Sequence, residues 1–106
     1  MDDKLQNILK QLRQEFTLLF GKRLHALYLY GSQARGDSRP DSDVDVLAVI
    51  QGDFDYFDLL HSTDQIVSKL SLENDIVITL SLVSDKKFKN SQAPLFRNIR
   101  REGIAI

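Results

Sequence analysis

Cysteine is absent from this chain of 106 residues, which excludes disulfides and thiolate-held metals. Any ion it binds must be held by oxygen or by its two histidines, His25 and His61, and oxygen donors favour a hard cation such as magnesium. Long apolar runs are missing too. Nothing approaches the roughly 18 to 20 apolar residues that span a bilayer, and Met1-Asp2-Asp3-Lys4 lacks the basic start and short apolar run of a secretion signal. The expectation is a soluble, cytoplasmic protein. A strong charge of either sign is likewise absent: the net charge of -1 argues against a generally basic nucleic-acid binder. Internal repeats, low-complexity tracts and linkers are also lacking, and the length suits one small domain, residues 1–106, that buries roughly two-thirds of its unfolded surface.

The charge that is present is unevenly placed. From Lys86 onward six basic residues (Lys86, Lys87, Lys89, Arg97, Arg100, Arg101) stand against one acid, Glu102, so the tail carries +5 and the preceding 85 residues -6. Such a tail could meet a phosphate-bearing substrate or an acidic partner, and a solvated terminal helix reads equally well.

Apolar periodicity organises the rest. Leu5, Ile8, Leu9, Leu12, Phe16, Leu19 and Phe20 recur at helical spacing, so the pattern predicts an amphipathic helix over 3–20, capped by Asp2 or Asp3 and closed by Gly21. A short strand over 26–30 and a near-continuous apolar strand over 44–50, suited to burial on both faces, come next. Phe57, Leu60, Val67 and Leu70 suggest a second helix over 55–70, started by Tyr56 and Phe57 as an anchor. A third strand is expected over 75–82, followed by one or two helical turns in which Leu95, Phe96 and Ile99 pack back on the sheet. This order argues for an α/β fold with a sheet of three or more strands flanked by helices. Periodicity leaves open whether the sheet is parallel or mixed.

Between the first two strands lies the run that carries chemistry: Gly31-Ser32, ten residues, then Asp43-Val44-Asp45. Residues two apart on a strand share a face, so Asp43 and Asp45 bring two carboxylates together while Val44 and Val46 point the other way. Like charges that close repel unless a cation neutralises them. Magnesium is commonly held by one or two carboxylates plus substrate phosphate oxygens, and two such ions about 3.5 to 4 Å apart can clamp an in-line phosphoryl displacement. A third carboxylate would complete that pair of sites. Asp75, at the start of the third strand, is the choice, with Glu73 and Asp85 as competitors.

At the other end of the run Gly31 lets the backbone approach a ligand, and Ser32 can begin a helical turn through Gln33, Ala34 and Arg35. Its backbone N–H groups, the Ser32 hydroxyl and the positive end of the turn favour a terminal phosphate. Arg35 adds a cation in the same turn, and Gly36, Asp37, Ser38 and Pro40 make the return. His25 and His61 read as ordinary surface or half-buried histidines, and Tyr28 and Tyr30 as packing residues of a strand.

The run Gly31 to Asp45 resembles the signature of the DNA polymerase beta-like nucleotidyltransferase superfamily. Ala34-Arg35-Gly36 and Ser42-Asp43-Val44-Asp45-Val46 are similar to segments of its minimal branch, the MNT family. Asp75-Ile76-Val77 is similar to that branch's third-carboxylate segment, and Arg101-Glu102-Gly103-Ile104 to its usual end. The resemblance implies a mixed-sheet nucleotidyltransferase fold, with ATP as donor, two magnesium ions and transfer of a nucleoside monophosphate to a hydroxyl. Asp43 and Asp45 would bind both ions and Asp75 the catalytic one, while Gly31 and Ser32, with Arg35, would hold the triphosphate. It also implies the antitoxin half of a pair whose partner is a helical HEPN toxin, with a tyrosine of that partner as acceptor. The alternatives are a binding module that masks its partner without turnover, and a free-standing transferase acting on a small hydroxylated molecule.

Overall fold

A computed structural model describes residues 2–37, 39 and 42–106. Ser38 and Pro40, which the sequence assigns to the return of the loop, lie outside the described residues. The helix α1, Asp3–Phe20, forms over the expected span: the Asp2 carboxylate accepts the Leu5 N–H at 2.7 Å, and Leu5, Ile8, Leu9, Leu12, Phe16 and Phe20 are buried. Leu19, counted in the apolar stripe by its spacing, is exposed.

After a 3-10 turn, Gly21–Arg23, come β1 (Leu24–Tyr30), the single-turn helix α2 (Ser32–Arg35) and β2 (Val44–Ile50). The helix α3 (Tyr56–Asn74) leads to β3 (Ile78–Ser84), and α4 (Asp85–Asn90), α5 (Pro94–Glu102) and β4 (Ile104–Ala105) complete the chain. The sheet order is β3-β2-β1-β4, with β2 and β3 parallel and both pairs made by β1 antiparallel. The sheet is therefore mixed. Among the described residues no helix is long and apolar enough to cross a membrane.

Strand parity divides the core into two layers. On one face Leu27, Leu29, Val44, Val46, Ala48, Ile50, Ile78 and Leu82 pack under α1 and α3. On the other, Leu47, Val49 and Val83 meet Phe88 of α4 and Ile99 of α5, with Tyr28, Tyr30 and Phe96 at the edge. Because β2 lies between two neighbours and under helices on both sides, every residue from Val44 to Ile50 except Asp45 is buried. That explains why its sequence reads as an apolar run rather than an alternation.

The structure corrects two sequence expectations about where elements begin and end and what they bury. First, α3 runs four residues past 70, and Ser71 to Asn74 prolong it. Asp75 then caps it in the left-handed conformation (φ 50°, ψ 50°), with the Asp75 and Ile76 N–H groups both reaching the Ser71 carbonyl. β3 consequently starts at Ile78 rather than 75. Second, Phe57 is 77% exposed and stacks edge-on against Tyr56 instead of anchoring the helix in the core. The start of α3 is held by Asp55, whose carboxylate accepts the Asp58 N–H at 3.1 Å. Asp55→Ala should therefore remove about 1 kcal/mol of stability, read as a lower urea midpoint. The sheet, expected to have three or more strands, has four: Ile104 and Ala105 pair with Leu29 and Tyr28.

Candidate functional site

Asp45 comes to the second face of the sheet by the same parity that buries Leu47 and Val49 there, and Asp43, just before β2, is close enough for its charge to act on it. Asp45 stands in register with Tyr30 on one side and Thr79 on the other. Asp43 is exposed and Asp45 half-buried, since α4 and α5 cover this face farther along the strands. Tyr30 shares the face: its hydroxyl lies 3.4 Å from the Ser81 hydroxyl. Desolvation is the main reason the Asp45 carboxyl is held above the ordinary carboxylate range; the Asp43 charge adds to the rise and Arg35 opposes it. Two acids this close, the charge of Asp43 adding to the proton affinity of Asp45, make a site with negative charge to be neutralised.

Gly31 joins β1 to α2 at φ 75°, ψ -157°, a conformation essentially reserved for glycine. It also lies against Asp45: a methyl group at Gly31 would collide with Asp45 Oδ2. The turn that follows is closed by the Arg35 N–H on the Gly31 carbonyl at 3.1 Å and the Gly36 N–H on the Ser32 carbonyl at 3.0 Å. The leading N–H groups of such a turn have no intrahelical acceptor. The sequence pattern thus brings its two ends together, the Gly31-Ser32 turn and the acid pair, on neighbouring strands.

Arg35 is exposed and pairs with Asp37, Nε to Oδ2 at 3.2 Å. An exposed pair of this kind is weak, and Arg35 still acts on Asp45 through its charge. Sequence reading missed Gln33, whose Nε2 donates to the Ser42 carbonyl at 3.0 Å and so ties the turn to the residue before Asp43. A long amide side chain inside the motif was the available signal, but its partner across the loop is a tertiary fact.

Asp75 is not brought to the pair. The left-handed cap that ends α3 places it before the strand, and among the described residues no three His, Cys, Asp or Glu side chains form a group that could hold a metal ion. The competitors do not replace it: Glu73 is an exposed residue of α3, and Asp85 begins α4 after the far end of β3, where its Oδ1 accepts the Gly52 and Lys86 N–H groups. Among the described residues the donor set therefore suits one hard cation at Asp43 and Asp45 and does not form the three-acid cage expected from the sequence.

A mixed four-stranded sheet with its acid pair beside a glycine-led turn is the architecture of nucleotidyltransferases. The fold matches a crystal structure of a toxin–antitoxin with AMP-PNP at a TM-score of 0.59 and 20% identity, covering 98% of this chain and 72% of that one. A crystal structure of the toxin–antitoxin MntA-HepT matches at a TM-score of 0.51 and 19% identity, covering 96% and 68%. In sequence the chain is 35% identical over 85 residues to a Methanocaldococcus jannaschii protein named "Putative protein adenylyltransferase MJ0604", covering 79% of each. Residues 5–103 match the model of the nucleotidyltransferase domain, and the chain belongs to that family.

Proposed function

We propose that this chain transfers AMP from ATP to a hydroxyl of a protein, a tyrosine of a HEPN toxin encoded by the adjacent gene, and thereby acts as an antitoxin in the cytoplasm. The observation that carries the reading is the meeting of the Gly31 turn and Asp45 on neighbouring strands, which gives one place for phosphate and cation together. The relatedness to a protein bearing an adenylyltransferase name and the likeness to toxin–antitoxin structures support the choice of donor and partner.

In this reading the acceptor oxygen forms a bond to the α-phosphorus of ATP, the bond from that phosphorus to the bridging oxygen breaks, and pyrophosphate leaves while the hydroxyl proton passes to solvent. The Gly31-Ser32 turn holds the triphosphate through backbone N–H groups and the Ser32 hydroxyl, and Gln33 keeps the turn at a fixed distance from the acids. Asp43 and Asp45 would hold a magnesium ion, which when bound would neutralise charge on the phosphates. Positioning and charge neutralisation carry most of the catalysis in such a transfer. Arg35, already facing Asp37, adds positive charge at the edge of the turn.

The test is transfer of radiolabel from α-labelled ATP to the purified product of the neighbouring gene, followed by mapping of the labelled residue. Label on a tyrosine, lost with Asp43→Asn, is the expected result. Failure to label a partner verified by co-purification and toxicity would overturn the reading. A second reading, masking without turnover, is favoured by the short count of acids at the site among the described residues. Growth rescue by the Asp43→Asn, Asp45→Asn double variant as complete as by the native chain would establish it.

A further inference from the structure

We propose that Thr79 occupies the position of the missing third carboxylate, so that this chain holds a single divalent cation with its nucleotide and gains a second one when Thr79 is made acidic. The inference rests on the nucleotidyltransferase reading for its choice of ligand, but the geometry is that of the sheet. β2 and β3 run parallel, with Asp45 and Thr79 as direct partners and Leu47 beside Ser81. Adjacent strands lie about 4.8 Å apart and partners project to the same face. Thr79 therefore stands beside Asp45 on the side opposite Tyr30, and it is exposed.

Along that face β3 offers Thr79 and Ser81, and Val77, whose carbonyl accepts the Val44 N–H at 2.9 Å, leads into the strand. None of the three carries charge. Asp75 is two residues farther back but outside the pleat, because its left-handed backbone ends the helix before the strand begins. A run of acid-leading apolar residues thus starts in the wrong place to deliver its carboxylate.

The charge balance gives the consequence. Two carboxylates neutralise one divalent ion. Among the described residues a second ion would find no further carboxylate beside the pair and would be held by phosphate and water alone, a weak arrangement for an ion that binds through charged oxygens. An aspartate at position 79 would place the third carboxylate beside Asp45 on an exposed strand position, where the change disturbs no buried contact. Two cations close together can then stabilise both the attacking and the leaving oxygen.

Manganese, which reports its own binding by electron paramagnetic resonance, is the probe. Chain and a nonhydrolysable ATP analogue are mixed in equal amounts and titrated with Mn2+, for the native chain, Thr79→Asp and the neutral isostere Thr79→Asn. The expected counts are one, two and one tightly held ions per complex, with thermal melting confirming that all three are folded. Two ions in the native chain, one in Thr79→Asp, or two in Thr79→Asn would overturn the proposal. Transfer to the partner should rise roughly tenfold or more in Thr79→Asp if the second ion serves the reaction. Counts of one and two without transfer by either form would leave Thr79 placed and would reject the reaction instead.

Discussion

Asp45→Asn is expected to abolish nucleotidyl transfer and, at neutral pH without divalent cation, to leave the chain more resistant to heat than the native protein. The two effects have one origin. Desolvation, then the neighbouring Asp43 charge, raises the proton affinity of Asp45 in the folded chain, while Arg35 only partly offsets them. The folded state therefore binds this proton more tightly than the unfolded state. Stability contributed by the group falls as pH rises from the ordinary carboxylate range through the raised folded value, and stays lower above it. At pH 7 the native chain carries that penalty in full, and asparagine, of the same shape and without charge, does not. The melting temperatures of the two proteins in chelator should differ at pH 7 and converge as pH drops toward 4. Divalent cation with nucleotide should raise the native midpoint by mass action and leave the variant's nearly unmoved.

For transfer, loss of this proposed cation ligand would remove charge neutralisation that positioning alone cannot replace. A fall of at least about 10³-fold is expected, which corresponds to about 4 kcal/mol on the barrier at 1.36 kcal/mol per tenfold. Asp43→Asn should match it in activity, because it takes away the other acid of the pair. A variant that lost activity together with heat resistance would show that Asp45 is a structural residue, and the reading of the pair as a charged site would fail.

How much of this could be read in advance depends on whether the information was local. The helix α1 and the strand β2 formed where their patterns placed them, because amphipathic spacing over 3–20 and an apolar run over 44–50 each decide their own burial. The acid pair and the glycine turn were equally legible, since strand parity and φ freedom act within a few residues. What escaped was set at a distance. Asp75 heads a run, Ile76 to Leu80, that reads as strand from its first letter, yet the preceding Ser71 to Asn74 extend the helix, and the reversal needs a left-handed residue at that point. Only the register of β3 against β2 shows that Thr79, not Asp75, neighbours Asp45. β4 was invisible because two residues have no pattern of their own and exist as a strand through Tyr28 and Leu29. Phe57 satisfies helical spacing and is still exposed, since periodicity names a face without saying what covers it.

The second large effect is expected at Gly31, through backbone and side chain at once. Gly31→Ala should lower stability by roughly 1–3 kcal/mol, because its φ of 75° and ψ of -157° are closed to a residue with a Cβ. For a domain of this size a change of 1 kcal/mol moves the melting point by roughly 4–8 °C, so the loss is readily measured. Strain alone would spare the chemistry of the molecules that remain folded. The added methyl, however, crowds Asp45 Cγ at 3.3 Å, closer than ordinary van der Waals contact, and collides with its Oδ2. The carboxylate must therefore turn away from its place beside Asp43, and the proposed cation site would be altered even in the folded fraction. Gly36→Ala separates the two causes. Gly36 also has a positive φ, 78°, with ψ 11°, but among the described residues, its chain neighbours aside, no atom lies within 4 Å of a Cβ built there. It should lose about 1–2 kcal/mol from the left-handed backbone and keep its transfer rate per folded molecule. Gly31→Ala, assayed well below its melting point, should lose roughly 10²-fold in transfer, as expected when a reacting geometry shifts by about 1 Å. Equal rates in the two variants would mean that Gly31 serves only the turn and that its closeness to Asp45 has no part in the reaction.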